Sequence, residues 1–237
     1  FMPVDSEHFS IWYALENNLN NSISKIYLTA SGGSLLNVKK KNIKNLSLKR
    51  ILKHPNWSMG NKITIDSSTL MNKVFEVIET KKIFNLKYNQ IKIIIHKDSY
   101  VHAIIKLYNG MIKIIAHDTT MEIPIGNTLY DTKFKFKNKS DINIKKLNKL
   151  NLQSVDFKKF VLIETLKKLP SKDSLFETVL VSANDELVHL YLSKKIKYTD
   201  ISSKLIEIIN KKEFKKFKKI LPRTVSDVIN LSKIVRL

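Results

Sequence analysis

The sequence contains no cysteine. Disulfides, thiolate nucleophiles and cysteine-based zinc sites are therefore excluded, and any metal must sit on Asp, Glu, Asn or His. Glycine and proline are scarce, with five of each in 237 residues, so adjacent glycines mark a backbone that turns tightly or approaches a ligand. No apolar run is long enough to span a bilayer, and the N-terminal stretch, with Asp5, Glu7 and Glu16, lacks the layout of a signal peptide. No membrane partner is expected. Arginine is almost missing: of 42 basic residues, only Arg50, Arg223 and Arg236 are arginine.

What is present is a 43% hydrophobic content, ample for a folded core, and a formal net charge of +21. Clustered cations bind phosphate backbones, so a basic nucleic-acid-binding module is one alternative. Composition argues against it, because base readout and bidentate phosphate contacts favour arginine. Abundant Lys, Asn and Ile are what an AT-rich genome produces, which explains the charge without a partner. A bacterial cytoplasm or a plastid-type organelle is the expected setting.

Near the start stands Pro3-Val4-Asp5-Ser6-Glu7-His8. In an extended chain Asp5 and Glu7 leave on one face and can grip a hard cation, but Asp or Ser ahead of Phe9, Ile11, Trp12 and Leu15 also reads as a plain helix N-cap. Taken alone, the cap is the better reading. A helix over 8–19 is expected to stop in the Asn17-Asn18-Leu19-Asn20-Asn21 run, and a strand over 25–29 to enter Ser31-Gly32-Gly33-Ser34. That tetrapeptide is equally an ordinary turn or a ligand approach. His54-Pro55-Asn56-Trp57-Ser58-Met59-Gly60 suits a loop whose Trp either closes over a substrate or plugs the core.

Lys62-Ile63-Thr64-Ile65 reads as a strand, followed by Asp66-Ser67-Ser68-Thr69 as helix caps and a helix through Leu70, Met71, Val74, Val77 and Ile78. Ser67 would then lie at a helix N-terminus that favours an anion. Asn72 and Glu76 share a helical face beside Lys73. A strand over 90–96 and a hairpin of 101–107 with 111–116 follow, with Asn109-Gly110 as a type I′ turn. His96 and His102 bracket the first connection. Residues 132–157 read as a linker, and helices are expected over 160–169, 174–195, 201–209 and from Ser226.

Five ordered motifs resemble 1-deoxy-D-xylulose 5-phosphate reductoisomerases. They are Pro3 to His8, then Ser31-Gly32-Gly33, then His54 to Gly60, then Lys62 to Ser67 continuing through Met71-Asn72-Lys73 to Glu76, then His96 with His102. The resemblance is clear over 1–130 and weaker through Ser182-Ala183-Asn184-Asp185-Glu186 and Lys197-Tyr198-Thr199-Asp200-Ile201. Lys97 departs from a common proline, and Thr120-Met121-Glu122 from Asp-Met-Arg.

The resemblance implies an α/β (α+β) catalytic domain with a mixed sheet over 1–131, the linker 132–157, and an all-α helical bundle over 158–237. It implies metal-dependent isomerisation and NADPH-dependent reduction of 1-deoxy-D-xylulose 5-phosphate in non-mevalonate isoprenoid biosynthesis. Asp5, Glu7 and Glu76 would hold Mg²⁺ or Mn²⁺. Ser31, Ser67, Asn72 and Lys73 would grip the phosphate, with Ser6, His54 and His102 against the substrate. Trp57 and Met59 would lie on a lid, with Gly60 near the nicotinamide; Glu7, Glu76, His54, Trp57 and His102 would stand closest to the chemistry. A homodimer is implied. The family's Gly-rich NADPH-binding domain has no counterpart among these residues, so the main NADPH-binding domain is expected to be absent from this chain or supplied as a separate N-terminal domain. The alternative is a noncatalytic remnant that binds phosphosugar and metal.

Overall fold

In a computed structural model of the chain, residues 1–15, 22–130, 133–137 and 141–236 are described. In chain order the first elements are α1 (Ser6–Ala14), β1 (Ile23–Ala30), α2 (Leu48–Ile51), α3 (Asn61–Thr69) and α4 (Met71–Ile83). Then come β2 (Ile91–His96), β3 (Val101–Leu107), β4 (Ile112–Ala116), α5 (Glu122–Tyr130), α6 (Ile144–Leu147) and β5 (Leu152–Ser154). The chain ends with α7 (Phe176–Leu192), α8 (Tyr198–Asn210), α9 (Lys212–Lys215) and α10 (Val225–Arg236). It is an α/β protein with a mixed sheet and a helical C-terminal part, as the sequence implies.

Two compact units divide these elements. The first comprises Phe1–Gly32, Pro55–Ser58 and Glu79–Val155, and the second Gly33–His54, Met59–Ile78 and Asp156–Leu237. This division differs from the contiguous one expected along the chain, because residues 33–54 and 59–78 cluster with the C-terminal helices.

The first unit is built on a five-stranded sheet of order β4-β3-β1-β2-β5. β1 pairs with β2 in parallel, placing Leu28 beside Ile93, and with β3 antiparallel, placing Leu28 beside Ala103. A parallel pair needs a crossover connection, and residues 31–90 provide it. Interior β3 is buried along nearly its whole length and, His102 and Lys106 apart, is apolar, whereas edge β4 is half exposed and carries Lys113. α1 covers β3 and β4, burying Phe9 and Ile11.

The hairpin at Asn109-Gly110 forms with a different turn. Gly110 is left-handed (φ 89°) and Asn109 is not, and the Gly110 N–H donates to the Leu107 carbonyl. A type I′ turn needs both central residues at positive φ, so this is a three-residue loop with glycine at the left-handed position. The expected linker also acquires structure: β5 pairs antiparallel with β2, setting Gln153 beside Ile95. Three exposed residues carry no alternation to reveal such an edge strand. The expected helix stop at Asn17 to Asn21 lies outside the described residues.

In the second unit α7 is central and packs on α3, α8 and α10, burying Phe176, Val179, Leu180, Leu187, Ile201 and Leu205. The segment 161–168 is a 3₁₀ helix, tighter than the expected α-helix. The strand expected at Lys62 to Ile65 is instead the start of α3. Thr64 donates its N–H and its hydroxyl to the Gly60 carbonyl, Lys62 pairs with Asp66 one turn on, and Ile65, Ser68 and Thr69 are buried on one face. Helical spacing of buried contacts overrides the strand preference of β-branched Ile and Thr. α3 ends at Leu70, a buried leucine in the left-handed region (φ 60°) whose N–H reaches back to the Ser67 carbonyl.

Candidate active site

In the first unit, Asp5 caps α1, its Oδ1 accepting the backbone N–H groups of Glu7 and His8 at 3.1 and 3.2 Å. The cap read from the sequence is therefore real, and it fixes where the carboxylates lie. Ser6 donates to Glu7 Oε2 at 2.6 Å. Buried His8 stands with Nδ1 3.3 Å from Asp5 and Nε2 3.1 Å from Thr80 Oγ1. These contacts hold two acidic side chains at the dipole-positive end of a helix.

Trp57 packs edge-on to His102 at 6.3 Å between ring centroids, and His102 stacks flat on His117 at 3.7 Å. His117 in turn meets Phe9 of α1 edge-on. An aromatic run thus links the Trp57 loop to the helix bearing Asp5 and Glu7. Asn56 pins that loop by donating to the Lys97 carbonyl (2.6 Å) and to Ser99 Oγ (2.8 Å). Burial lowers the His117 pKa, against the opposing pull of the Asp118 carbonyl and Glu7. His117 escaped the sequence reading because it lies in no motif, and only the pairing of β3 with β4 places it beside His102. Ser31 follows β1 and is half exposed. His96 is buried at the end of β2, and its burial lowers its pKa.

In the second unit, Glu76 accepts from Asn72 Nδ2 through Oε1 and from Lys73 Nζ through Oε2, both at 2.6 Å. Lys73 and Glu76 are 5% and 3% exposed, so this ion pair is desolvated and losing either partner would strand a buried charge. Asn72 and Lys73 occupy the first turn of α4, where the helix dipole adds positive potential. Ser67 does not start a helix as expected; it lies in the last turn of α3. Any anion at Ser67 would be met by its hydroxyl and by α4, not by an α3 N-terminus.

His54 Nε2 lies 3.2 Å from Ser67 Oγ, and burial lowers the His54 pKa to about 4. It is neutral near pH 7. Gly33, at φ 60°, packs so closely that a Cβ there would stand 2.7 Å from the Ser67 carbonyl oxygen. This explains one of the paired glycines. Gly60 caps α3 with open space around its Cα, and Met59 beside it is half buried.

A polar network outside the sequence-derived site braces α3. Asp66, 1% exposed, accepts from Asn184 Nδ2 and pairs with Lys62, both at 2.8 Å. Lys62 also reaches Asp185, which Arg236 joins at 2.9 Å. Burial raises the Asp66 pKa despite Lys62. The half-exposed Lys62 suffers less from burial than it gains from Asp66 and Asp185, so its pKa rises too.

Family models for the 1-deoxy-D-xylulose 5-phosphate reductoisomerase C-terminal domain match residues 1–84, and for the DXP reductoisomerase C-terminal domain match residues 118–237. The chain belongs to the DXP reductoisomerase family. The 1-deoxy-D-xylulose 5-phosphate reductoisomerase of Pelagibacter ubique is 56% identical over 100% of this chain and 61% of its own length. That of Sulfurihydrogenibium sp. is 35% identical over 91% of this chain and 57% of its own. The chain therefore spans about three fifths of the length of these relatives.

A solved DOX-P reductoisomerase in complex with NADPH, fosmidomycin and magnesium superposes with a TM-score of 0.88 at 29% identity. The match covers 99% of this chain and 61% of that one. The Zymomonas mobilis enzyme in complex with NADPH gives 0.82 at 26% identity, covering 99% and 59%. Among the described residues, no helix is long and apolar enough to cross a membrane.

Proposed function

We propose that this chain supplies the metal- and substrate-binding part of a reductoisomerase that rearranges 1-deoxy-D-xylulose 5-phosphate and reduces it with NADPH to 2-C-methyl-D-erythritol 4-phosphate. The observation that carries the reading is the match of the whole chain, at 56% identity, to one such enzyme. Asp5, Glu7 and Glu76 are the ligands proposed for Mg²⁺ or Mn²⁺. The donor set fits by its chemistry: all three side chains are carboxylates, and oxygen-only donors are what hard divalent cations select. When bound, such an ion supplies positive charge that polarises the ketone and hydroxyl oxygens of the substrate.

The remaining roles belong to this chain's own side chains. Lys73 and Asn72, on the first turn of α4, receive the substrate phosphate together with the hydroxyls of Ser31 and Ser67. Neutral His54 orients the Ser67 hydroxyl while bordering the substrate, as do Ser6 and His102. Trp57, seated on His102, excludes water with Met59, and Gly60 leaves room for the nicotinamide. NADPH is held mainly by residues beyond those of this chain. Two copies are proposed to assemble as a homodimer, in a cytoplasmic setting.

The test is calorimetric titration of 1-deoxy-D-xylulose 5-phosphate into the chain with Mn²⁺ or with a chelator. Binding is expected only with the metal. Glu76→Gln should weaken it by about 10²-fold or more, the scale on which groups shaping a metal site act, while circular dichroism shows a folded protein. Unchanged binding in that variant overturns the metal assignment.

A further inference from the structure

The second unit contains a cavity of about 640 Å³ that the proposed reaction does not use. This lies within the 300–1,000 Å³ range of small-molecule sites. Leu35, Ile43, Phe160, Val161 and Ile206 make its wall apolar. Ile206 lies on α8, next to buried Leu205 and one turn before buried Ile209, with its own side chain half exposed. At one side the Tyr198 hydroxyl meets Ser68 Oγ at 2.9 Å, and burial keeps that phenol protonated by raising its pKa.

Four lysines, Lys40, Lys41, Lys44 and Lys159, also line the cavity, and among the described residues no Asp or Glu does. Lys40 Nζ donates to the Lys158 carbonyl and Lys159 Nζ to the Leu36 carbonyl, both at 2.7 Å. These bonds fix the two ammonium groups in place, yet an ammonium has three donors, so each retains capacity for a ligand. Lys41 and Lys44 are exposed on the 3₁₀ turn Lys40–Asn45. Asp156 is the acid that acts on Lys159, through space, and burial still leaves the Lys159 pKa lowered.

A purely apolar ligand would cover the wall and leave the ammonium cluster unanswered. A small inorganic anion would answer the cluster and leave the wall wet. We infer that the cavity binds a single-chain amphiphile with a phosphate head, its alkyl chain along Ile206, Phe160 and Leu35 and its head against the lysines. Lysine binds phosphate as a point charge, and a dianion with three acceptor oxygens suits several ammonium groups better than a carboxylate does.

Calorimetric titration with decyl phosphate below its micellar concentration tests this, with decanol and inorganic phosphate as controls. Decyl phosphate should bind about tenfold or more tighter than either control, since both the apolar wall and the charge contribute. The double variant Lys41→Glu with Lys44→Glu, which alters only exposed side chains, should weaken decyl phosphate about tenfold and leave decanol unchanged. Ile206→Trp, filling the cavity, should weaken decyl phosphate and decanol alike. Thermal denaturation verifies folding, and if Ile206→Trp fails to fold the lysine variant decides. Decyl phosphate no tighter than decanol or inorganic phosphate overturns the inference, as does its undiminished binding to the lysine variant. Since the readout is amphiphile affinity without metal or phosphosugar, its failure is separate from failure of the proposed reaction.

Discussion

His54 carries a large pH signature near the acid side of neutrality. Its pKa falls from an ordinary 6.5 to about 4 because burial penalises the imidazolium. Below pH 6.5 the unfolded chain takes up a proton at His54 that the folded chain refuses, so the residue's contribution is intact above 6.5 and is lost as pH falls towards 4. Chemical denaturation of wild type and His54→Gln between pH 7 and pH 4.5 should show wild type losing stability more steeply. Equal slopes would mean that His54 titrates normally. At pH 7 the imidazole is neutral, so it can share a hydrogen bond with Ser67 without adding a cation there. His54 stood out in the sequence through its Pro-Asn-Trp context, but its charge state did not, because burial is a property of the packed chain.

At the level of elements, the α3 to α4 break does the positioning. α3 ends at left-handed Leu70 and α4 begins at once, so Ser67 and the pair Asn72 and Lys73 fall on either side of one sharp turn. A bulky residue at positive φ is costly, and such strain is held by its surroundings; here the side chain of Leu70 is fully packed. Gly33 presses on the same turn from the other side. Gly33→Ala would add a Cβ at 2.7–2.9 Å from the Ser67 and Ser68 backbone at φ 60°. The expected cost is about 1–3 kcal/mol, a melting point several degrees lower, and weaker binding of the proposed phosphate ligand because Ser67 is displaced. A wild-type melting curve for this variant would show that the close approach is not tight. Sequence showed that something unusual happens here, with two glycines and a cap-rich run. It misplaced the helix start, since Asp66, Ser67 and Thr69 are good caps by type but are enclosed by helix contacts of α3.

For the whole molecule, the net charge of +21 predicts weak attraction to any polyanion without sequence preference. Fluorescence anisotropy with labelled duplex DNA should show binding at low salt that is lost by roughly 0.2 M, since counterion release drives it. Sequence-selective binding that survives such salt would contradict a solvated lysine surface. By itself the sequence determined the family and bounded the chemistry: a cysteine-free chain offers a metal no thiolate, and ordered motifs carry the proposed site residues Asp5, Glu7, Glu76, Lys73 and His54. It also determined the strong elements, β1, β2, β3, α7 and α8, because continuous apolar runs and helical stripes are local signals of burial. Tertiary structure alone decided that Lys62 to Ile65 is helix, that β5 closes the sheet edge, that His117 stacks on His102, and that residues 33–54 and 59–78 cluster with the C-terminal helices. Each of these depends on partners distant in sequence, whose burial and hydrogen bonds outweigh local propensity and leave no periodic trace in the chain.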